Sequence, residues 1–189
     1  MAGHALDELP EIVSQPFIIP RPGHDDGHHG VDLGYWRFKD LGPITGMPVL
    51  AVLEGQVAGV IHDRPPYGNM IVIETSYARI PLALREKEKI ITGQSLYSLY
   101  AHLETPPAFA VGDQVTCGQP LGTAGLTGMT SGPHLHFETR WGPPGETFPA
   151  MAYYTADATP DELETYQRWR MNGDFHLFDP MDLLSLPQP

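Results

Sequence analysis

Cysteine is almost absent: Cys117 stands alone in 189 residues, so no internal disulfide can form. A chain of this length needs none, because a single domain of its size buries on the order of 70% of its unfolded surface. An isolated cysteine is expected to be a small buried or half-buried thiol. Positive charge is also scarce, with 11 Lys and Arg against 23 Asp and Glu and a net charge of -12. The lysines are Lys39, Lys87 and Lys89 alone. No stretch gathers basic residues into a stripe that could follow a phosphate backbone, which argues against nucleic acid as a partner. No run of about 18 apolar residues exists, which excludes a membrane-spanning helix. The opening MAGHALDELPEIVSQ has neither the basic start nor the apolar centre of a signal peptide. Either the protein stays inside the cell or the chain begins after an export signal.

Turn formers, by contrast, are plentiful. Gly and Pro, 20 of each, make up about a fifth of the chain, which points to a β-rich globular domain rather than to a disordered or collagen-like one. Proline-rich boundaries fall at Ile19-Pro20-Arg21-Pro22-Gly23 and at Trp141-Gly142-Pro143-Pro144-Gly145. Between them, Pro48 to Val60 reads as two strands turning near Glu54-Gly55, and Met70 to Thr75 as a β-branched strand. Ile80 to Leu84 and Ile90 to Leu103 flank the charged run Arg85-Glu86-Lys87-Glu88-Lys89, a pattern that predicts a long hairpin with a solvated tip. Val111 to Gly122 gives further short strands, and His134 to Thr139 alternates as one more. Thr159-Pro160-Asp161-Glu162 is a capping box that predicts a helix from about Pro160 to Met171, docked through Leu163, Tyr166 and Trp169. This tail reads as structural.

Nine histidines carry the chemistry. His28 and Asp32 are four apart around Gly30, an even spacing that turns both side chains to one face of an extended segment. Neighbouring Gly23, Gly27 and Gly34 make a helix there improbable. His134 and His136 are two apart, which converges on a strand, with Leu135 and Phe137 facing the core and both imidazoles a groove. Two imidazoles and a carboxylate suit a catalytic Zn²⁺ that keeps a fourth position for water, whose pKa then falls to roughly 7. The lack of thiolates disfavours a closed structural zinc site. His4, His24, His29, His62 and His176 read as surface or satisfied residues, although His24 and His29 lie close enough to His28 to be rival ligands. Asp25 and Asp26 read as a solvated turn.

The ordered set of short motifs resembles the M23 peptidase family, the zinc metallopeptidases of the lysostaphin and LytM type. His28-His29-Gly30-Val31-Asp32 is similar to the family's H-x-G-x-D, Gly46 to Ala51 and Gly55-Gln56-Val57 to its strand motifs. Leu99-Tyr100-Ala101-His102-Leu103, Gly112-Asp113-Gln114-Val115, Gly125-Leu126-Thr127-Gly128 and Ser131-Gly132-Pro133-His134-Leu135-His136-Phe137-Glu138 continue it in order. The resemblance covers about residues 28 to 138. It implies an all-β fold of mostly antiparallel sheets forming a groove, similar to the duplicated hybrid motif, here with a short C-terminal helical extension. It divides the chain into an N-terminal extension (1–23), a metallopeptidase domain (24–150) and a C-terminal extension whose helix packs on that domain (151–189).

Carried over by motif, the resemblance makes His28, Asp32 and His136 the ligands of one Zn²⁺ per chain, and His102 and His134 the catalytic histidines outside the ligand set. The implied activity is hydrolysis of peptide bonds in peptidoglycan cross-links or stem peptides, by a monomer acting outside the cell or at its envelope. The implied alternative is a non-catalytic module of the same fold that binds peptidoglycan or regulates amidases, whose mark would be a lost ligand; none is lost. Phosphocarrier domains of the glucose-permease type, similar in fold with two facing histidines, need no metal-binding Asp. Two features depart from the family pattern. The segment from about Ser76 to Ser98 is longer than usual, and upstream of His28 there is Arg21 but no Tyr to approach the oxyanion. At a charge of -12, long-range attraction to an anionic wall is small, so affinity rests on short-range contacts in the groove or on a separate module.

Overall fold

The apolar runs broken by Gly and Pro form ten strands in a computed structural model that describes residues 6–35 and 38–186. His4 lies outside those residues. In chain order the strands are β1 (Val13–Gln15), β2 (Gly30–Leu33), β3 (Pro48–Leu50), β4 (Gly55–Arg64), β5 (Gly68–Ser76), β6 (Ser95–Leu103), β7 (Gln114–Val115), β8 (Pro120–Thr123), β9 (Leu135–Gly142) and β10 (His176–Phe178). Short helices α1 (Leu9–Ile12), α2 (Leu82–Glu88), α3 (Pro160–Arg170) and α4 (Met181–Leu184) complete the described elements. The large sheet runs β1-β2-β9-β6-β5-β4-β7, with β10 also paired to β9, and β3 pairs with β8 in a second sheet. Every pairing is antiparallel, as the all-β expectation required. No helix of the described residues is long and apolar enough to cross a membrane.

The central strands are covered on both faces, which is why all nine residues of β6 are buried. Leu96 and Tyr100 enter one apolar cluster with Ile71, Ile73 and Phe137, while Tyr97, Leu99 and Ala101 enter another with Met70 and Val72. The second cluster is completed from the C-terminal extension by Tyr166, Trp169 and Phe175. Continuous burial of this kind reads as an unbroken apolar run instead of an alternating one.

Two details differ from the sequence reading. The segment after β5 is not a long hairpin: Ser76 leads into a single turn and then into α2, whose run Leu-Ala-Leu-Arg-Glu-Lys-Glu consists of strong helix formers. Ile80, Leu84 and Ile90 anchor this excursion in the core, so the charged residues lie on a helix and not on a β tip. The Pro48 to Val60 segment does form two strands, but β3 pairs with β8 and β4 with β5 and β7, so they do not pair with each other.

The tail helix follows its capping box. Thr159 accepts from the Glu162 backbone N–H while the Glu162 carboxylate accepts from the Thr159 N–H. Arg64 on β4 then clamps Glu162 at 2.7 Å, tying the start of α3 to the large sheet. Tyr166 and Trp169 are fully buried, and Leu163 is half-buried.

Candidate metal centre and active site

Strand register brings distant motifs together. In the antiparallel β2–β9 pair Asp32 lies directly opposite His136, and on the far side of β9 Ala101 of β6 faces the same residue. His28 precedes β2 in a two-residue bridge with Ile18, its N–H donating to the Ile18 carbonyl at 2.8 Å. Gly30 explains the middle of the motif. A Cβ there would meet the Phe137 carbonyl at 2.4 Å and His136 Cε1 at 2.9 Å, so only glycine lets the His136 ring lie against β2.

The three side chains that the resemblance names lie close together. His136 Nδ1 is 2.8 Å from Asp32 Oδ1, His28 Nε2 is 3.1 Å from the same oxygen, and His28 Nε2 is 3.3 Å from His136 Nδ1. Ligand bonds of about 2.0–2.1 Å in a tetrahedral zinc site imply edges of about 3.3 Å, so these separations suit one ion with little adjustment. The outer nitrogens are also spoken for. His28 Nδ1–H donates to the Pro16 carbonyl at 2.8 Å and His136 Nε2–H to Glu138 Oε1 at 3.0 Å. A ring whose far N–H is so held presents its other nitrogen to a metal, which is the orienting arrangement expected around metal-binding histidine. Burial alone raises the Asp32 pKa, but hydrogen bonds from His136 and His28 outweigh it and hold the carboxylate well below its usual range. Burial likewise lowers His136, yet its bonds to Asp32 and Glu138 bring it to about 9, so a metal entering this site displaces a proton.

His102 and His134 face each other beside these donors, ring centroids 4.6 Å apart. The register of β5 against β6 slips between Asn69 and Ile71, and His102 occupies the left-handed region at φ 61°. That bulge turns a residue of a buried strand toward the cavity. His102 Nδ1–H donates to the Thr127 carbonyl at 2.8 Å, and His134 Nδ1–H to the Gly132 carbonyl at 2.8 Å. Because a carbonyl can only accept, Nδ1 carries a proton in each ring, and Nε2 is the nitrogen turned to the cavity. His134 Nε2 lies 3.4 Å from Asp32 Oδ1. Burial, reinforced by the neighbouring histidines, lowers His102 to about 3, so it is neutral at physiological pH. All five residues line one cavity of about 240 Å³, which adjoins a larger one of about 600 Å³ through Gln15, Asp32, Ser131 and His134. Tyr35, Leu41, Pro43 and Ile44 give the larger cavity an apolar side.

Sequence reasoning left several participants without a role. Glu138 continues the even spacing of His134 and His136 and is fully buried behind the donors. Tyr67 and Arg170 line the smaller cavity as well. Arg21 does not; it is an exposed residue paired with Asp26. Asp25 is no solvated turn residue, since Tyr154 and Tyr166 donate to its Oδ2 at 2.6 and 2.7 Å and Arg170 Nε lies 2.6 Å from Oδ1. Cys117 is exposed instead of buried or half-buried, because it sits in the turn between β7 and β8.

His29 is no rival ligand. It is fully buried, accepts from Arg140 at 2.7 Å on Nδ1, and donates through Nε2 to the Asp26 carbonyl at 3.2 Å. Burial lowers its pKa from 6.5 to about 4. The folded state therefore binds fewer protons than the unfolded one between these values, and the stabilisation is complete above pH 6.5 and lost as pH falls toward 4. Urea unfolding of metal-free protein should show that decline, and His29→Gln should remove roughly 3 kcal/mol of it. An equally steep decline in the variant would refute the assignment.

The chain is 30% identical over 98 residues to the cell division protein DipM of Caulobacter vibrioides, a match that covers 52% of this chain but spans only 13% of that protein's length. The catalytic domain of the antimicrobial peptidase lysostaphin from Staphylococcus simulans superposes with a TM-score of 0.53 at 22% identity, covering 97% of this chain and 99% of that one, and so shares the fold. A catalytic-domain mutant of the prophage-encoded M23 protein EnpA from Enterococcus faecalis aligns over 72% of this chain and 85% of that one, at 23% identity and a TM-score of 0.48. The family model described as Peptidase family M23 matches residues 27–147, a segment that holds all five converging residues and more than half the chain, and the protein belongs to that family.

Proposed function

We propose that this protein is a zinc-dependent endopeptidase that hydrolyses peptide bonds in the cross-links or stem peptides of peptidoglycan, at the cell envelope or outside the cell. The observation that carries this reading is the convergence of His28, Asp32 and His136 on one point, with two further histidines facing it across a single cavity. In this reading His28 Nε2, Asp32 Oδ1 and His136 Nδ1 hold the ion. A bound zinc supplies Lewis-acid polarisation of the scissile carbonyl and makes water acidic enough to be deprotonated near neutral pH.

The remaining chemistry belongs to His102 and His134. Both spend Nδ1–H on a backbone carbonyl and turn Nε2 to the cavity. Each is an acceptor, suited to take the proton from the attacking water. Once protonated, the same nitrogen can donate to the oxyanion or hand its proton to the departing amine as the C–N bond breaks, leaving a carboxylate and a new amine. The Thr127 and Gly132 carbonyls fix both rings and thereby the path of the proton. The apolar side of the larger cavity suits the aliphatic parts of a peptide chain.

Digestion of purified peptidoglycan is the direct test. New amino groups without new reducing sugar ends are expected, at a rate that falls to background after zinc removal and returns on its addition. Reducing ends without amines would mean glycan cleavage. Binding to peptidoglycan with neither product would mean a non-catalytic module.

A further inference from the structure

The C-terminal helix lies outside the segment matched to the family, residues 27–147, yet its last turn reaches the buried carboxylate behind His136. Glu138 Oε1 accepts from Tyr67 Oη at 2.7 Å and from His136 Nε2 at 3.0 Å. Its Oε2 accepts from Arg140 at 3.0 Å and from Trp169 Nε1 at 2.9 Å. Arg170 donates to the Tyr67 hydroxyl at 3.1 Å and stands 3.6 Å from Oε1. Tyr67 can therefore turn its own proton only toward Glu138, since the guanidinium already occupies its acceptor side. Arg170 is in turn held by Asp25, which Tyr166 of the same helix also grips.

A carboxylate bonded on both oxygens from four directions has no freedom to rotate, and the imidazole that donates to it inherits that rigidity. We infer that Trp169 and Arg170, supplied by α3, are positioning residues for the metal site: they fix Glu138, which holds His136 with Nδ1 turned toward Asp32. This inference rests on the metal-site reading proposed above. On it, the extension that reads as structural in sequence sets the affinity of the site for its ion. The competing explanation is packing alone, because the Trp169 ring also stacks edge-on against Phe148 at 5.0 Å.

Trp169→Phe keeps an aromatic ring in the cluster while removing the N–H and part of the buried indole, and read beside the packing control Phe175→Leu it separates the two. In the full chain, Zn²⁺ affinity is measured by competition with a chromophoric chelator and ligand geometry by the visible absorption of the Co²⁺-substituted protein. Disturbed outer partners of metal-bound histidine weaken binding 10–100-fold, so a loss of about that size and a shifted Co²⁺ band are expected for Trp169→Phe. Arg170→Met should act in the same direction and serves if Trp169→Phe does not fold. In a Glu138→Gln background, Trp169→Phe should have no further effect on affinity, because the contact it breaks acts through that carboxylate. Phe175→Leu, a pure packing change, should lower the melting temperature while leaving affinity and spectrum unchanged. Wild-type affinity in both Trp169→Phe and Arg170→Met, with His136→Ala unable to bind, would overturn the positioning role and leave the metal site standing. If His136→Ala bound zinc like the wild type, the metal-site reading itself would fall, and this inference with it.

Discussion

His136→Ala should abolish stoichiometric zinc binding and lower peptidoglycan hydrolysis by about 10³-fold or more, the rate equivalent of the several kcal/mol that a metal ion contributes to transition-state stabilisation. The reason for so large an effect is positional. Nδ1 of His136 is within 3.3 Å of both other donors, so the alanine leaves two ligands on one side and opens the site to water. The fold should survive, because Glu138 keeps the Tyr67, Arg140 and Trp169 donors. Atomic absorption of the purified variant, beside its melting curve, reads metal and fold separately. Full occupancy and activity in a folded variant would remove His136 from the ligand set.

For His102→Ala the expected result is opposite in its first half. Zinc should remain at one ion per chain, while turnover drops by about 10²–10⁴-fold, the usual contribution of a positioned acid or base. His102 makes no direct hydrogen bond to the three donors; its fixed contact is with the Thr127 carbonyl, so its loss does not dismantle the site. Burial keeps the imidazole neutral across the working range, so its Nε2 is unprotonated before the reaction. The loss should fall on kcat more than on KM, as it does for a group whose work is done in the transition state. Retention of both zinc and turnover would mean that proton transfer runs through His134 alone.

The shared face of His28 with Asp32, and of His134 with His136, was legible because extended segments have a period of two, whereas the ligand set itself came from the family's motifs. His134, His136 and Asp32 sit where alternation puts them, and the cross-strand pairing of Asp32 with His136 is what that period permits. Glu138 lies on the same alternation, but its bond to Trp169, 31 residues further along, is one that a local pattern does not reveal. Asp25 is hidden for the same reason: acidic residues between glycines look solvated until Tyr166 and Arg170 arrive from α3, with Tyr154 from the loop before it. The α2 helix escaped because Ile80, Leu84 and Ile90 are compatible with either period over so short a stretch, and only the propensity of Leu82–Glu88 favoured the helix. The bulge at His102 has no signature in the residues themselves.

That bulge places stability and chemistry in opposition. A histidine in the left-handed region costs of order 1–2 kcal/mol that glycine or asparagine would largely avoid. A lineage selected for thermal tolerance alone would be drawn toward those residues at position 102, and each step in that direction would give up the imidazole. On the role proposed for His102, a relative with glycine or asparagine here and an intact set of donors should keep the fold and bind metal while turning over slowly.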